Sequence, residues 1–448
     1  MQPSPVVNPY PNKDNGFFKL FGSKEVPDLW QLAEYFYNEL NVRFLNTIPW
    51  RYKDGFYEQT SNAIIKTEIS VLTLRKVTPN QLRQFLEIVQ TRCEISGESA
   101  PEYGPMLNLA NGVLDLKTKT LLPHSSEYFF KYKLPHAYDP NAKCTEWQCF
   151  MDYVFEGNQD LADLSAEIFG YTLAGGNPWL HKAFMLLGEG RNGKSVYLDV
   201  LKHLLGRANI SAIPIDQLNK PFSVVQADGK LANIIGETTS KEIDSESFKI
   251  ASSGEELTAA NKFQAEYSMP FRARIIFATN RLPMFKDPTT GSFERLCIVP
   301  FNRYIKEKDR DPGIAEKLKL EASGILNWAL GGLDRLNERQ RLPEIEIVKA
   351  NIIEYRKDTD SIFDWVQQHI DFDAAQEKTF MPRDLYGHYR KFCEETSRKP
   401  VSLIGFSRRV SREVQRKTDV TISSTRTGIR ITARVKLPNT LSYSYSLI

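Results

Sequence analysis

The residues best suited to chemistry run in one stretch: Gly188, Glu189, Gly190, Arg191, Asn192, Gly193, Lys194 and Ser195, followed by Val196. Their types fit G-x-x-x-x-G-K-[ST]. Glycines let backbone N–H groups turn inward and approach phosphate oxygens closely. A helix starting near Gly193 would add the positive end of its dipole. Lys194 can then reach the β- and γ-phosphates of ATP, and the Ser195 hydroxyl can ligate Mg²⁺. The alternative is a glycine-rich turn that binds nothing. The flanks favour phosphate binding. Ala183 to Leu187 is an unbroken apolar run that reads as a buried strand. Tyr197, Leu198, Leu201, Leu204 and Leu205 have helical spacing, and Gly206 can end the helix.

Two more apolar runs end in polar chemistry. Lys230 to Gly236 leads to Glu237, a candidate to orient an attacking water and support Mg²⁺; Glu242 and Asp244 are the fallback. Ala273 to Thr279 leads to Asn280, whose amide could sense the γ-phosphate or be an ordinary turn residue. A third apolar run, Leu296 to Phe301, is preceded by Arg295. A cation there could stabilise a phosphoryl-transfer transition state in a neighbouring subunit, or form a salt bridge with Glu294; Arg281 is the runner-up. Lys262 and Phe263 pair a base with an aromatic ring on a loop, which suits a single nucleic-acid strand. A solvated lysine and a core phenylalanine are the plain alternative. Three buried-type strands with this placement describe a parallel α/β sheet with its ligand at the C-terminal edge.

Around this core the pattern predicts a helix over 28–40, short strands over 42–58, helices over 60–95, and a strand–Asn-Gly turn–strand over 108–115. Helices follow over 147–155 and 161–173, before Gly175-Gly176-Asn177-Pro178 marks a boundary. Residues 241–260 read as a polar helix, 311–336 as one or two helices, and 348–370 as a helical bridge. From Met381 onward 14 Lys/Arg stand against 5 Asp/Glu, +9 on a chain whose total is +3, leaving the rest at −6. A basic tail on a mildly acidic body suits a polyanion. No run of 18 apolar residues suggests a membrane span, and the N-terminus lacks a signal-peptide pattern. Five cysteines without a CxxC pair argue against zinc and disulfides and for the cytoplasm.

In order, Gly188–Ser195, Lys230–Glu237, Gly254–Ala259, Phe277–Pro283 and Phe293–Phe301 resemble the motifs of superfamily III helicases, specifically the phage/plasmid primase-helicase family related to the poxvirus replication ATPase. Asn111–Leu116 through Gly170-Tyr171 resembles the domain before the ATPase in that family, and Glu321–Leu330 its post-ATPase helix. The resemblance implies an AAA+-like P-loop core over 177–345. It further implies a flexible lead-in over 1–26, a collar-like helicase-associated domain over 27–176, a helical linker over 346–372 and a winged helix over 373–448. It implies a hexameric ring that hydrolyses ATP and moves 3′ to 5′ along single-stranded or forked DNA during replication, with a separate primase or polymerase as a further partner. Lys194 and Ser195 would act on phosphate and Mg²⁺, Glu237 as the acid, Asn280 as sensor and Arg295 as finger. In the tail, Arg408, Arg409, Arg412 and Arg416 would face DNA, with Arg426 to Arg430 as the wing. Two positions depart from the family: Gly236 stands where many relatives have a second acid, and Glu294 where they often have Arg. The upstream length is too short for the primase domain of many relatives. Other functional classes remain open: a DNA-stimulated remodelling or packaging ATPase, and an origin-binding initiator that uses ATP only as an assembly switch.

Overall fold

The computed structural model describes residues 18–21, 24–45, 47–73, 77–95, 105–237, 242–262, 265–280, 283–286, 290–372, 377–425 and 428–435. Its centre is a five-stranded parallel sheet in the order Ile210–Ser211, Ala232–Ile235, Arg274–Thr279, Ala183–Leu187, Leu296–Pro300. The apolar runs are continuous because both faces of each strand are covered. Phe184, Leu186, Ile276 and Val299 face the core shared with helix Lys194–Leu205. Met185, Ile275, Phe277 and Ile298 face the opposite core, with Phe248, Phe285 and Phe293. Register brings the strand ends level: Thr279 pairs with Leu187, and Ile235 with Phe277, which pairs with Met185. Gly188, Asn280 and Glu237 therefore leave the sheet along one edge.

The seam expected at 176 does not separate two cores. Leu107, Leu114, Trp147 and Phe169 belong to the same core as the sheet. Helices Gln159–Ala174 and Ala322–Arg339 cross with their backbones almost touching. A Cβ on Gly332 would lie 2.3 Å from the Ala166 carbonyl carbon, and one on Gly170 2.3 Å from the Ala329 oxygen. Glycine costs helix propensity at both sites, and the close crossing is what it permits. A separate small core lies upstream, where Phe36, Ile65, Phe85 and Val89 join helices Leu29–Asn38, Asn62–Leu72 and Pro79–Cys93.

Two further expectations are corrected. Residues 241–260 are not one helix: Ser245–Ser253 is helical and ends at Gly254, whose φ of +76° is left-handed. Glu256–Ala259 is instead a strand, paired antiparallel with Tyr267–Pro270. The bridge over 348–370 is two helices, Glu346–Thr359 and Ser361–His369. Asp360 breaks it, because its carboxylate accepts from the N–H groups of Ile362 and Phe363 and caps the second helix. The first helix packs on the sheet through Val348 and Tyr355. The second belongs to the C-terminal core with Trp365, Tyr389, Phe406 and Val410. That domain holds helices Tyr386–Glu395 and Leu403–Lys417 and a three-stranded antiparallel sheet ending in the hairpin Val420–Thr425 with Gly428–Arg434.

Candidate functional site

Strand Ala183–Leu187 runs into the glycine loop, and helix Lys194–Leu205 leaves it. Gly193 caps the helix with φ +91°, a conformation other residues resist. A Cβ on Gly188 would lie 2.1 Å from Asn192 Nδ2 and 2.4 Å from the Phe301 carbonyl oxygen. The loop is thus folded tightly on itself. Asn192 Nδ2 donates to the Phe301 carbonyl at 2.9 Å, and the Ile305 N–H to the Arg191 carbonyl at 2.8 Å. These bonds anchor the loop to the chain leaving strand Leu296–Pro300.

Lys194 is buried, and its ammonium spans the loop, donating to the Gly188 carbonyl at 2.6 Å and to Asn192 Oδ1 at 3.0 Å. Burial pulls its pKa below the ordinary lysine value; the nearby Glu237 carboxylate opposes this in part. Glu237, Asn280 and Ser195 are all exposed at the same edge. Glu189 lies within the loop and Val196 follows it, and Arg191 Nη1 donates to the Tyr304 hydroxyl at 3.2 Å.

Arg295 lies at the other edge. Leu296 pairs with Ala183, and the Ala183 N–H donates to the Arg295 carbonyl at 2.7 Å. The five residues of strand Leu296–Pro300 separate it from the loop, about 17 Å at about 3.3 Å per residue. That exceeds the reach of an arginine side chain within its own chain. Arg295 is half-buried and makes no ion pair with any described residue. No sequence pattern marks Lys182, yet its Nζ donates to the Glu294 carbonyl next to Arg295. Arg274 is likewise unmarked in the sequence: it is fully buried, holds the Gly175 and Gly176 carbonyls, and stacks on Tyr171 at 4.3 Å. Neither lysine nor arginine stands in a pattern that announces such a role.

Lys262 is exposed at the turn between strands Glu256–Ala259 and Tyr267–Pro270. Phe263, Arg281 and Arg426 lie outside the described residues. In the C-terminal domain the arginines divide. Arg408 and Arg412 are exposed, without an ion pair to any described residue. Arg409 is half-buried and its guanidinium is bonded to the fully buried Asp360 carboxylate, so its charge is already paired within the fold. Arg416 is exposed but pairs with Glu413 at 3.3 Å. Among the described residues no group of three or more His, Cys, Asp or Glu could hold a metal ion, and no helix is long and apolar enough to cross a membrane.

Comparison with known proteins bears on this arrangement. A profile described as D5 N terminal like matches residues 38–156, and one for a family of unknown function, DUF5906, matches residues 186–295. The chain is 25% identical over 235 residues to "Putative helicase L207/L206" of Acanthamoeba polyphaga mimivirus. These matches support a protein of the phage and viral primase-helicase type. The alignment with the mimivirus protein takes in 47% of this chain but only 24% of that protein's length. The A form apo structure of the NrS-1 C terminal region superposes with a TM-score of 0.53 at 13% identity, covering 92% of this chain and all of that one. The chain therefore shares the NrS-1 region's fold. A second apo structure of that region gives a TM-score of 0.48 at 11% identity.

Proposed function

We propose that this chain is an ATP-dependent DNA helicase of superfamily III, acting as a ring during replication of a phage, plasmid or other mobile element. The observation that carries the reading is the split across the sheet. Lys194, Ser195, Glu237 and Asn280 stand at one edge and Arg295 at the other, out of reach of its own loop. Arg295 can serve a triphosphate only across a seam between protomers. A head-to-tail ring, a hexamer by the family resemblance, provides that seam.

In this reading the loop's N–H groups and the start of helix Lys194–Leu205 hold the phosphates. Lys194 has only neutral partners in its bonds to Gly188 and Asn192, so exchanging them for phosphate oxygens leaves no carboxylate stripped. Glu237 orients water and takes its proton, and Asn280 hydrogen-bonds the γ-phosphate or that water. One hydroxyl and one carboxylate, Ser195 and Glu237, fit Mg²⁺ because that ion keeps waters and phosphate oxygens for its remaining positions. When bound, it would neutralise charge on the phosphates. The C-terminal domain is read as a winged helix with Arg408 and Arg412 on DNA, and Lys262 as a contact to the translocating strand. The mimivirus relative's description as a helicase points the same way.

The test is strand displacement on a forked duplex by the parent and by Lys194→Ala. The parent should separate strands 3′ to 5′ with ATP, and the variant should not. Equal unwinding by both overturns the motor. A parent that hydrolyses ATP on DNA without separating strands would be a remodelling ATPase. One that binds ATP without turnover would be an initiator.

A further inference from the structure

Two segments with chemistry at their ends meet on one buried side chain. Tyr355, on helix Glu346–Thr359, is fully buried. Its hydroxyl donates to the carbonyl of Pro283, three residues past Asn280. Its ring meets Phe293 edge-on at 5.3 Å, two residues before Arg295, and lies 6.4 Å from the ring of Phe285. The exit of the Asn280 strand and the turn that carries Arg295 are thus packed on the same tyrosine. The turn is fixed from its other side by the Lys182 ammonium on the Glu294 carbonyl and by the Ala183 N–H on the Arg295 carbonyl.

The next residue leads to a different domain. Arg356 is bonded to Glu413 of helix Leu403–Lys417, and its guanidinium lies 3.9 Å over the Phe363 ring and 5.8 Å over Phe293. Four residues on, Asp360 takes Arg409 of the same C-terminal helix. Helix Leu403–Lys417 is the one that exposes Arg408 and Arg412. A single helix, Glu346–Thr359, therefore touches the basic domain at one end and both reactive segments along its side.

We propose that Tyr355 is a positioning residue for Arg295 and Asn280, and that its helix carries nucleic-acid occupancy of the C-terminal domain to them. The proposal rests on the reading of Arg295 and Asn280 as parts of an ATP-cleaving site. Its physical basis is the cost of breaking either connection. Moving Tyr355 off Pro283 leaves a buried carbonyl unpaired. Moving Arg356 off Glu413 leaves that buried carboxylate with Arg416 alone and Arg356 with the more distant Asp360, a weaker arrangement. A shift of helix Leu403–Lys417 on binding a polyanion is then taken up by helix Glu346–Thr359, which cannot move without moving Phe293 and Pro283. Small shifts of packed helices of this kind are a common switching mode.

The test uses the full chain, with ATP hydrolysis measured in the presence and absence of a single-stranded oligonucleotide. Tyr355→Phe keeps the ring and removes the bond to Pro283. Its kcat should fall about tenfold while KM for ATP stays within about twofold, because the glycine loop does not touch Tyr355. A tyrosine that only fills the core would lower the melting temperature without splitting kcat from KM. Glu413→Gln should keep the unstimulated kcat and the oligonucleotide affinity, and lose at least about fivefold of the stimulation. Parent-like kcat in Tyr355→Phe, or full stimulation in Glu413→Gln, overturns the proposal. Should Tyr355→Phe fail to fold, the Glu413→Gln result decides alone. A parent without ATP hydrolysis removes the underlying reading and this proposal with it; a hydrolysing parent with parent-like variants removes this proposal only.

Discussion

Lys194 in the glycine loop and Arg409 in the C-terminal helix are both basic side chains in stretches suited to phosphate, yet the fold treats their charges in opposite ways. Lys194 is held by a carbonyl and an amide oxygen, both neutral. Arg409 is held by the carboxylate of Asp360, which is 1% exposed. A cation with neutral partners keeps its charge for a ligand; one locked to a buried carboxylate has already spent its charge on the fold. The same rule sorts the other cations. Arg295 and Lys182 form no ion pair with a described carboxylate, whereas Arg356 and Arg339 are bonded to Glu413 and Glu167. Clustering of basic residues in a sequence does not tell these groups apart.

The strongest way to break the comparison is at Arg295. If its uncommitted charge serves phosphoryl transfer across a seam, Arg295→Ala should lower ATP hydrolysis by about a thousandfold with little change in melting temperature. Doping the variant into parental rings should depress activity more than in proportion to its share. A strictly linear loss in that titration would argue against a shared site, and a large fall in melting temperature would move Arg295 to the structural group.

Arg409 is the converse case. Arg409→Ala should leave Asp360 buried with a weaker partner, since Arg356 Nε is 3.8 Å away. The expected cost is about 3 kcal/mol of stability, read by denaturant unfolding. Oligonucleotide affinity of the folded variant should match the parent at every salt concentration. A flatter salt dependence would return Arg409 to the nucleic-acid surface.

How far these distinctions are legible in sequence depends on where the information lies. The glycine loop, its strand and its helix are local, so glycine spacing, an apolar run of five and a helical period are enough to find them. Glu237 and Asn280 were also readable, since each ends an apolar strand, and parallel strands put their ends on one edge. The strand order was not readable, because it is fixed by contacts between segments far apart. Strand Glu256–Ala259 reads as helix in the sequence because it follows a helix directly, with only Gly254 and Glu255 to mark the change. The loss of Arg409 was invisible for another reason. Its partner stands 49 residues away and breaks a helix that periodicity runs straight through.

Arg412 supplies the smallest effect and the sharpest contrast, because it shares a helix with Arg409 and differs in what holds it. It is exposed and has no ion pair to a described residue, so its removal should cost stability less than about 0.5 kcal/mol. If it meets a phosphate, Arg412→Ala should weaken oligonucleotide binding evenly across sequences and reduce the slope of log affinity against log salt by about one. If it instead meets a base edge, the loss would depend on the sequence of the duplex, with the slope less affected. An unchanged slope together with unchanged sequence preference would mean that exposure and freedom from a carboxylate do not suffice to mark a nucleic-acid contact. The rule drawn from Lys194 and Arg409 would then hold for the sheet's edges but not for the C-terminal helix.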